Sequence, residues 1–61
     1  MKLPTYRVHG PDDFYMETQS QDDAFRTARN KATDSGQMVL VTFTWCGRYN
    51  MRHFCPDGAS Y

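Results

Sequence analysis

The sequence predicts a small α+β domain in which a β-hairpin, a helix and a second β-hairpin (ββαββ) follow one another, with the helix on one face of a mainly antiparallel sheet. Three observations carry this. Thr5 to Gly10 and Phe14 to Gln19 alternate apolar and polar residues around a Gly-Pro-Asp-Asp turn; Ala24, Phe25, Ala28 and Ala32 recur at helical spacing; and "QMVLVTFTW" is rich in β-formers. A helix stripe and two alternating hairpins each need a surface to cover, and a helix laid on one sheet face satisfies both.

The first hairpin can be registered on paper, because directly opposite residues of an antiparallel pair share a face. A three-residue loop at Pro11 to Asp13 sets Val8 opposite Met16, Tyr6 opposite Thr18 and Gly10 opposite Phe14 on one face. On the other it sets Arg7 opposite Glu17 and His9 opposite Tyr15. The first set is apolar and the second holds an opposite-charge pair, which favours this register over a four-residue loop that opposes Arg7 and Met16.

The helix signals are local. Ser20 is an N-cap residue, Asp22 and Asp23 sit where the helix dipole favours acids, and Gly36 supplies a left-handed stop. Three alanines allow the axis to lie close to a sheet, with Phe25 as the large plug. Asp22 and Arg26 are spaced for an ion pair on the outer face.

For the second hairpin, a three-residue turn at Gly47 to Tyr49 joins strands Met38 to Cys46 and Asn50 to Cys55. It opposes Trp45 and Met51, Phe43 and His53, and Val41 and Cys55 on the core face, leaving Thr44 with Arg52 and Thr42 with Phe54 outside. A two-residue turn, which opposes Arg52 and Phe43, is worse. The expected core is Tyr6, Val8, Phe14, Met16, Phe25, Ala28, Ala32, Val39, Val41, Phe43 and Trp45. The chain reads as one domain over residues 1–61, with residues 1–4 and 56–61 frayed.

Within "TWCGRYNMRHFC" the hairpin separates Cys46 and Cys55 by several residues and sends them to opposite faces, so a disulfide and the hairpin compete. Zinc sites usually carry closely spaced ligand pairs, and only His53 and Cys55 approach that pattern. No metal and no cofactor is therefore expected. His9 and His53 lack a neighbouring nucleophile and orienting acid, no glycine-rich phosphate loop occurs, and a core this thin leaves little room for a pocket of about 300 Å³ or more, so no enzyme is expected.

Seven basic and seven acidic residues cancel in a chain of 61, which denies long-range attraction to nucleic acid or to anionic membranes. No apolar stretch approaches a membrane span, and two cysteines do not make a secreted disulfide framework, so a cytoplasmic location is expected. What is left is the uncovered sheet face. The expected binding residues are Arg7, Tyr15, Arg52 and Phe54 on that face, with Arg48 and Tyr49 at the hairpin tip. The partner expected is a larger protein that this chain regulates or inhibits, by analogy with small phage and plasmid proteins of similar layout. A homodimer contact is the rival use of the same face, and a nucleic acid stacked on its aromatic and basic groups is the alternative function.

Overall fold

The computed structural model describes residues 3–61. The architecture is the expected one. Strands β1 (Tyr6–His9) and β2 (Tyr15–Thr18) precede helix α1 (Gln21–Ser35), and β3 (Val39–Trp45) and β4 (Arg48–Phe54) follow it. All pairings are antiparallel, and the spatial order is β2-β1-β3-β4. The helix thus delivers β3 to the free edge of β1 and leaves the two hairpins side by side.

The first hairpin takes the expected register, with Tyr6, Arg7, Val8 and His9 opposite Thr18, Glu17, Met16 and Tyr15. Gly10 donates its N–H to the Phe14 carbonyl at 2.9 Å, closing the loop. Asp12 and Asp13 take the left-handed region there, which short polar side chains tolerate. A Cβ on Gly10 would meet the Phe14 ring at 2.9 Å, so the ring folds across a position only glycine leaves open.

Helix α1 begins and ends as its sequence signals require. Ser20 Oγ accepts the Asp23 N–H at 3.2 Å, and Gly36, at φ 70°, donates its N–H to the Ala32 carbonyl at 3.0 Å. Asp23 pairs with Arg26, in place of the expected Asp22–Arg26 pair. Ala24, Ala28 and Ala32 are fully buried against Val8, Val39 and Val41, which the central strands supply. Small side chains on the helix and β-branched ones on the sheet let the two layers approach closely. Tyr6 extends this core through edge-on contact with Phe25 and a tilted stack on Phe43.

The second hairpin corrects the expected register. The turn is Cys46–Gly47, both at positive φ (52° and 76°), and Trp45 lies opposite Arg48. Two-residue turns with both residues left-handed match the twist of the flanking strands, and glycine at the second position is their usual mark. Relative to a Gly47 to Tyr49 turn, the pairing slips by three residues, an odd number that sends every β4 side chain to the opposite face. Phe54 therefore enters the core opposite Val39, 3% exposed and 5.3 Å from the Phe25 ring. Met51, His53 and Cys55 do not. The observed register buries a phenyl ring where the other would bury an imidazole and a thiol, and an imidazole in that position would need a hydrogen-bond partner. Trp45, expected in the core, is 47% exposed and lines an open groove beside Gln21 at the start of the helix.

The tail also departs from expectation. Phe54 bridges to Ser60, and His53 and Tyr61 exchange both backbone hydrogen bonds, at 2.6 and 3.0 Å, so residues 59–61 form a short fifth rung on the outer edge of β4. Of the residues expected to fray at the start, 1 and 2 lie outside the described residues. Both cysteines are free, Cys46 exposed in the turn and Cys55 half-buried after β4.

Two stability measurements follow from this register. Phe54→Ala should cost about 3 to 5 kcal/mol, as truncation of a buried phenyl usually does, enough to unfold much of a domain this small; circular dichroism against denaturant would show it. Cys46→Asn, which suits the left-handed turn better, should raise the unfolding free energy by about 0.5 to 1 kcal/mol in the same assay.

Candidate partner-binding surface

Helix α1 covers one side of the sheet, and alternation assigns the other side residue by residue. From β2 outward it carries Tyr15 and Glu17, then Arg7 and His9 of β1, then Leu40, Thr42 and Thr44 of β3, then His53, Met51 and Tyr49 of β4. Met38, one step before β3, and Tyr61 on the tail continue the same surface. Tyr15, Met38, Tyr49, Met51 and Tyr61 are each at least half exposed. Such a run of aromatic and thioether groups on one face is the composition enriched where proteins meet.

Several polar groups of this face pair with one another. Arg7 Nε lies 3.7 Å from Glu17 Oε1, so the cross-strand ion pair expected from the sequence forms. Tyr15 donates its hydroxyl hydrogen to the same carboxylate and stacks beside His9, ring centroids 5.3 Å apart. His9 Nε2 sits 3.4 Å from Thr42 Oγ1, which is buried beneath its neighbours although it points away from the helix. His53 and Tyr61 stack nearly parallel, with centroids 5.0 Å apart, and the Tyr61 hydroxyl reaches the Met38 sulfur at 3.7 Å. The Tyr15, His9, His53 and Tyr61 rings thus have partners within the face before anything binds, which lowers the entropy cost of using them.

The structure divides the expected binding residues. Arg7, Tyr15 and Tyr49 do lie on the open face, Tyr49 at its far corner. Arg48 is exposed at the hairpin tip but on the helix side. Arg52 and Phe54 are corrected: both project to the helix side, where Phe54 belongs to the core and the Arg52 guanidinium lies 5.8 Å above the Phe25 ring. Met38, Leu40, Met51, His53 and Tyr61 join the face instead. The signal that could have found two of these, Met51 and His53, was the Cys-Gly dipeptide, read as a two-residue turn.

On the helix side an open groove of about 480 Å³ runs between the start of the helix and the β3 end, lined by Leu3, Pro4, Tyr6, Gln19, Gln21, Phe43 and Trp45. It is larger than the thin core led one to expect, and its described lining carries no carboxylate, imidazole, thiol or amine. Among the described residues, no three His, Cys, Asp or Glu side chains gather as a metal site would require. Nor is any helix among them long and apolar enough to cross a membrane.

Fold and surface together define a small α+β domain with one sheet face covered by its own helix and the other uncovered and aromatic. Comparison with protein-family models, with curated proteins and with solved structures finds no match.

The Tyr15–Glu17 pair has a titration signature. The hydrogen bond to the carboxylate, reinforced by partial desolvation and by the carboxylate charge, holds the Tyr15 phenol above its ordinary value of 10.0, with Arg7 opposing. The folded value is the higher one, so the stabilisation is complete below about pH 10 and is lost as pH rises through the folded value. Glu17→Gln should shift the Tyr15 ring-carbon NMR titration downward; an unchanged midpoint would show that the carboxylate does not hold the phenol.

Proposed function

We propose that this chain is a non-enzymatic protein-binding module of the cytoplasm, which docks its uncovered sheet face on a larger protein and regulates or inhibits it. The observation that carries this reading is the face itself: Tyr15, Met38, Tyr49, Met51 and Tyr61 are each at least half exposed on one surface, where charges are few and paired. Scattered apolar residues are ordinary on a protein surface, whereas several exposed aromatic and thioether groups gathered on one sheet face favour an interaction site. Tyrosine contributes large contact area at low rotamer cost, and methionine adapts to the shape it meets.

The charge pattern favours a protein over a nucleic acid on this face. Phosphate binding needs unanswered cations, and Arg7 is answered by Glu17. The stacked His53–Tyr61 and His9–Tyr15 pairs would suit single-stranded bases, so the second reading predicts binding that falls steeply with salt.

A photo-crosslinking amino acid placed at Tyr49 or Met51 should capture one defined protein from cells that express the chain, and the same group at Asn30 on the outer helix face should not. Tyr15→Ala should reduce that capture by about tenfold or more, the effect of losing one interface anchor, while the thermal midpoint stays within a few degrees. Equal crosslinking from both faces, or capture insensitive to Tyr15, would remove the proposal.

A further inference from the structure

The outer edge of β4 is only partly occupied. Its inner edge pairs with β3 along its whole length, from Arg48 to Phe54. On the outer edge the tail answers only the end, where His53 and Tyr61 exchange backbone hydrogen bonds and Cys55 donates its N–H to the Ala59 carbonyl at 2.8 Å. In an antiparallel ladder the N–H and C=O of a residue point to the same side, and alternate residues share that side. Met51 and Tyr49, two and four positions before His53, therefore aim their donors and acceptors outward along the same edge. Among the described residues nothing pairs with them. Neither proline nor a bulge interrupts β4, so the edge lacks two of the usual devices that stop a strand from adding.

The side chains along that free stretch alternate in a way that selects an occupant. Tyr49 and Met51 stand on the open face, and Arg48, Asn50 and Arg52 stand on the helix side. Arg48 and Arg52 are exposed, and the ion pairs of the described residues, Arg7–Glu17 and Asp23–Arg26, include neither. Arg29 lines, together with Arg26 and Asp22, an open groove beside the Phe25 ring that Arg52 overlies.

We propose that the free outer edge of β4 accepts an extended peptide segment of a partner protein, with acidic side chains facing Arg48 and Arg52 and apolar or aromatic ones facing Tyr49 and Met51. The segment reads as acid, apolar, any residue, apolar, acid. It lies in line with the Ser60–Tyr61 rung and repeats on Met51 and Tyr49 the backbone exchange that Tyr61 makes with His53. Main-chain bonds supply the docking and the alternating side chains supply the selectivity, as in other strand-addition complexes. The inference rests on reading the chain as a protein-binding module, but it docks the partner through the sheet edge and meets the face only at Tyr49 and Met51.

Two rival occupants fit less well. A second copy paired antiparallel through both free positions sets Tyr49 opposite Met51, and Arg48 of one copy then opposes Arg52 of the other, a like-charge pair at each end. Nucleic-acid phosphates only accept hydrogen bonds, so they would leave the outward carbonyls of Tyr49 and Met51 unanswered, whereas a peptide offers both donors and acceptors.

The test is an NMR titration of nitrogen-15-labelled protein with the capped peptide Glu-Val-Thr-Tyr-Glu and with its counterpart Lys-Val-Thr-Tyr-Lys. The glutamate peptide should shift the Tyr49 and Met51 amides and slow their hydrogen exchange, leaving Tyr15 and Glu17 on the opposite edge unmoved. It should bind at least about tenfold more tightly than the lysine peptide. The Arg48→Glu/Arg52→Glu double variant should reverse that preference; if the variant does not fold, the comparison of the two peptides on the native chain decides alone. No shift at Tyr49 and Met51, equal binding of both peptides, or amides already protected in the free protein through self-association would overturn the proposal. So would a single-stranded oligonucleotide that displaces the peptide with higher affinity. Tyr15→Ala, which weakens capture through the face, should leave the peptide titration unchanged. Failure at the edge with crosslinking retained on the face removes only this inference, and the converse removes only the reading of the face.

Discussion

The backbone conformation at Cys46–Gly47 decides which side of the sheet every β4 side chain occupies. Two consecutive left-handed residues close the hairpin with Trp45 opposite Arg48, and strict alternation then commits Phe54 to the core and Tyr49, Met51 and His53 to the other face. An odd slip would exchange the two sets. The turn alone does not enforce this choice; the phenyl ring at the far end of β4 completes it by packing between Phe25 and Val39. Local turn preference and remote burial agree, which is what allows so short a hairpin to hold a single register.

The core that results is one layer of small side chains. Ala24, Ala28 and Ala32 against Val8, Val39 and Val41 bring helix and sheet together closely but remove little apolar area per residue, and the aromatic rim of Tyr6, Phe25, Phe43 and Phe54 supplies the bulk. A single fifteen-residue helix can cover one sheet face only. The other face stays in contact with solvent, and here it is furnished with tyrosine and methionine rather than with the charged residues that would keep it inert. Because a domain of this size has a small stability margin, an association that covers this face would add a substantial fraction to it.

Electrical neutrality of the whole chain conceals a local separation. The open face holds its one arginine against a glutamate, and the acids of the first helical turn are partly spent on the N-terminal dipole and on Arg26. Arg48 and Arg52 are left together on one strand, on the side away from the open face. Long-range steering is therefore weak, and binding through the proposed face and edge would rest on short-range fit: ring stacking and apolar contact on the face, alternating charge along the edge.

Much of what neighbours a few residues apart govern was legible in the sequence. The Ser20 cap, the Gly36 stop, the alanine stripe, the Pro11 to Asp13 loop and the Arg7–Glu17 pair were legible because each depends on local geometry or on one short hairpin. Tyr15 and Arg7 were legible as open-face groups for the same reason, whereas Tyr49 was expected in the turn and stands instead on β4 opposite Thr44. Tertiary structure decided the strand order, the anchoring of Tyr61 beside His53 and the register of the second hairpin. Cysteine does not favour the left-handed region, so Gly47 was the local mark of the turn, and Phe54 and His53 are adjacent residues of which only one could be buried. The distant Phe25 ring and Val39 made the choice, since burying Phe54 removes the larger apolar surface and asks for no hydrogen bond.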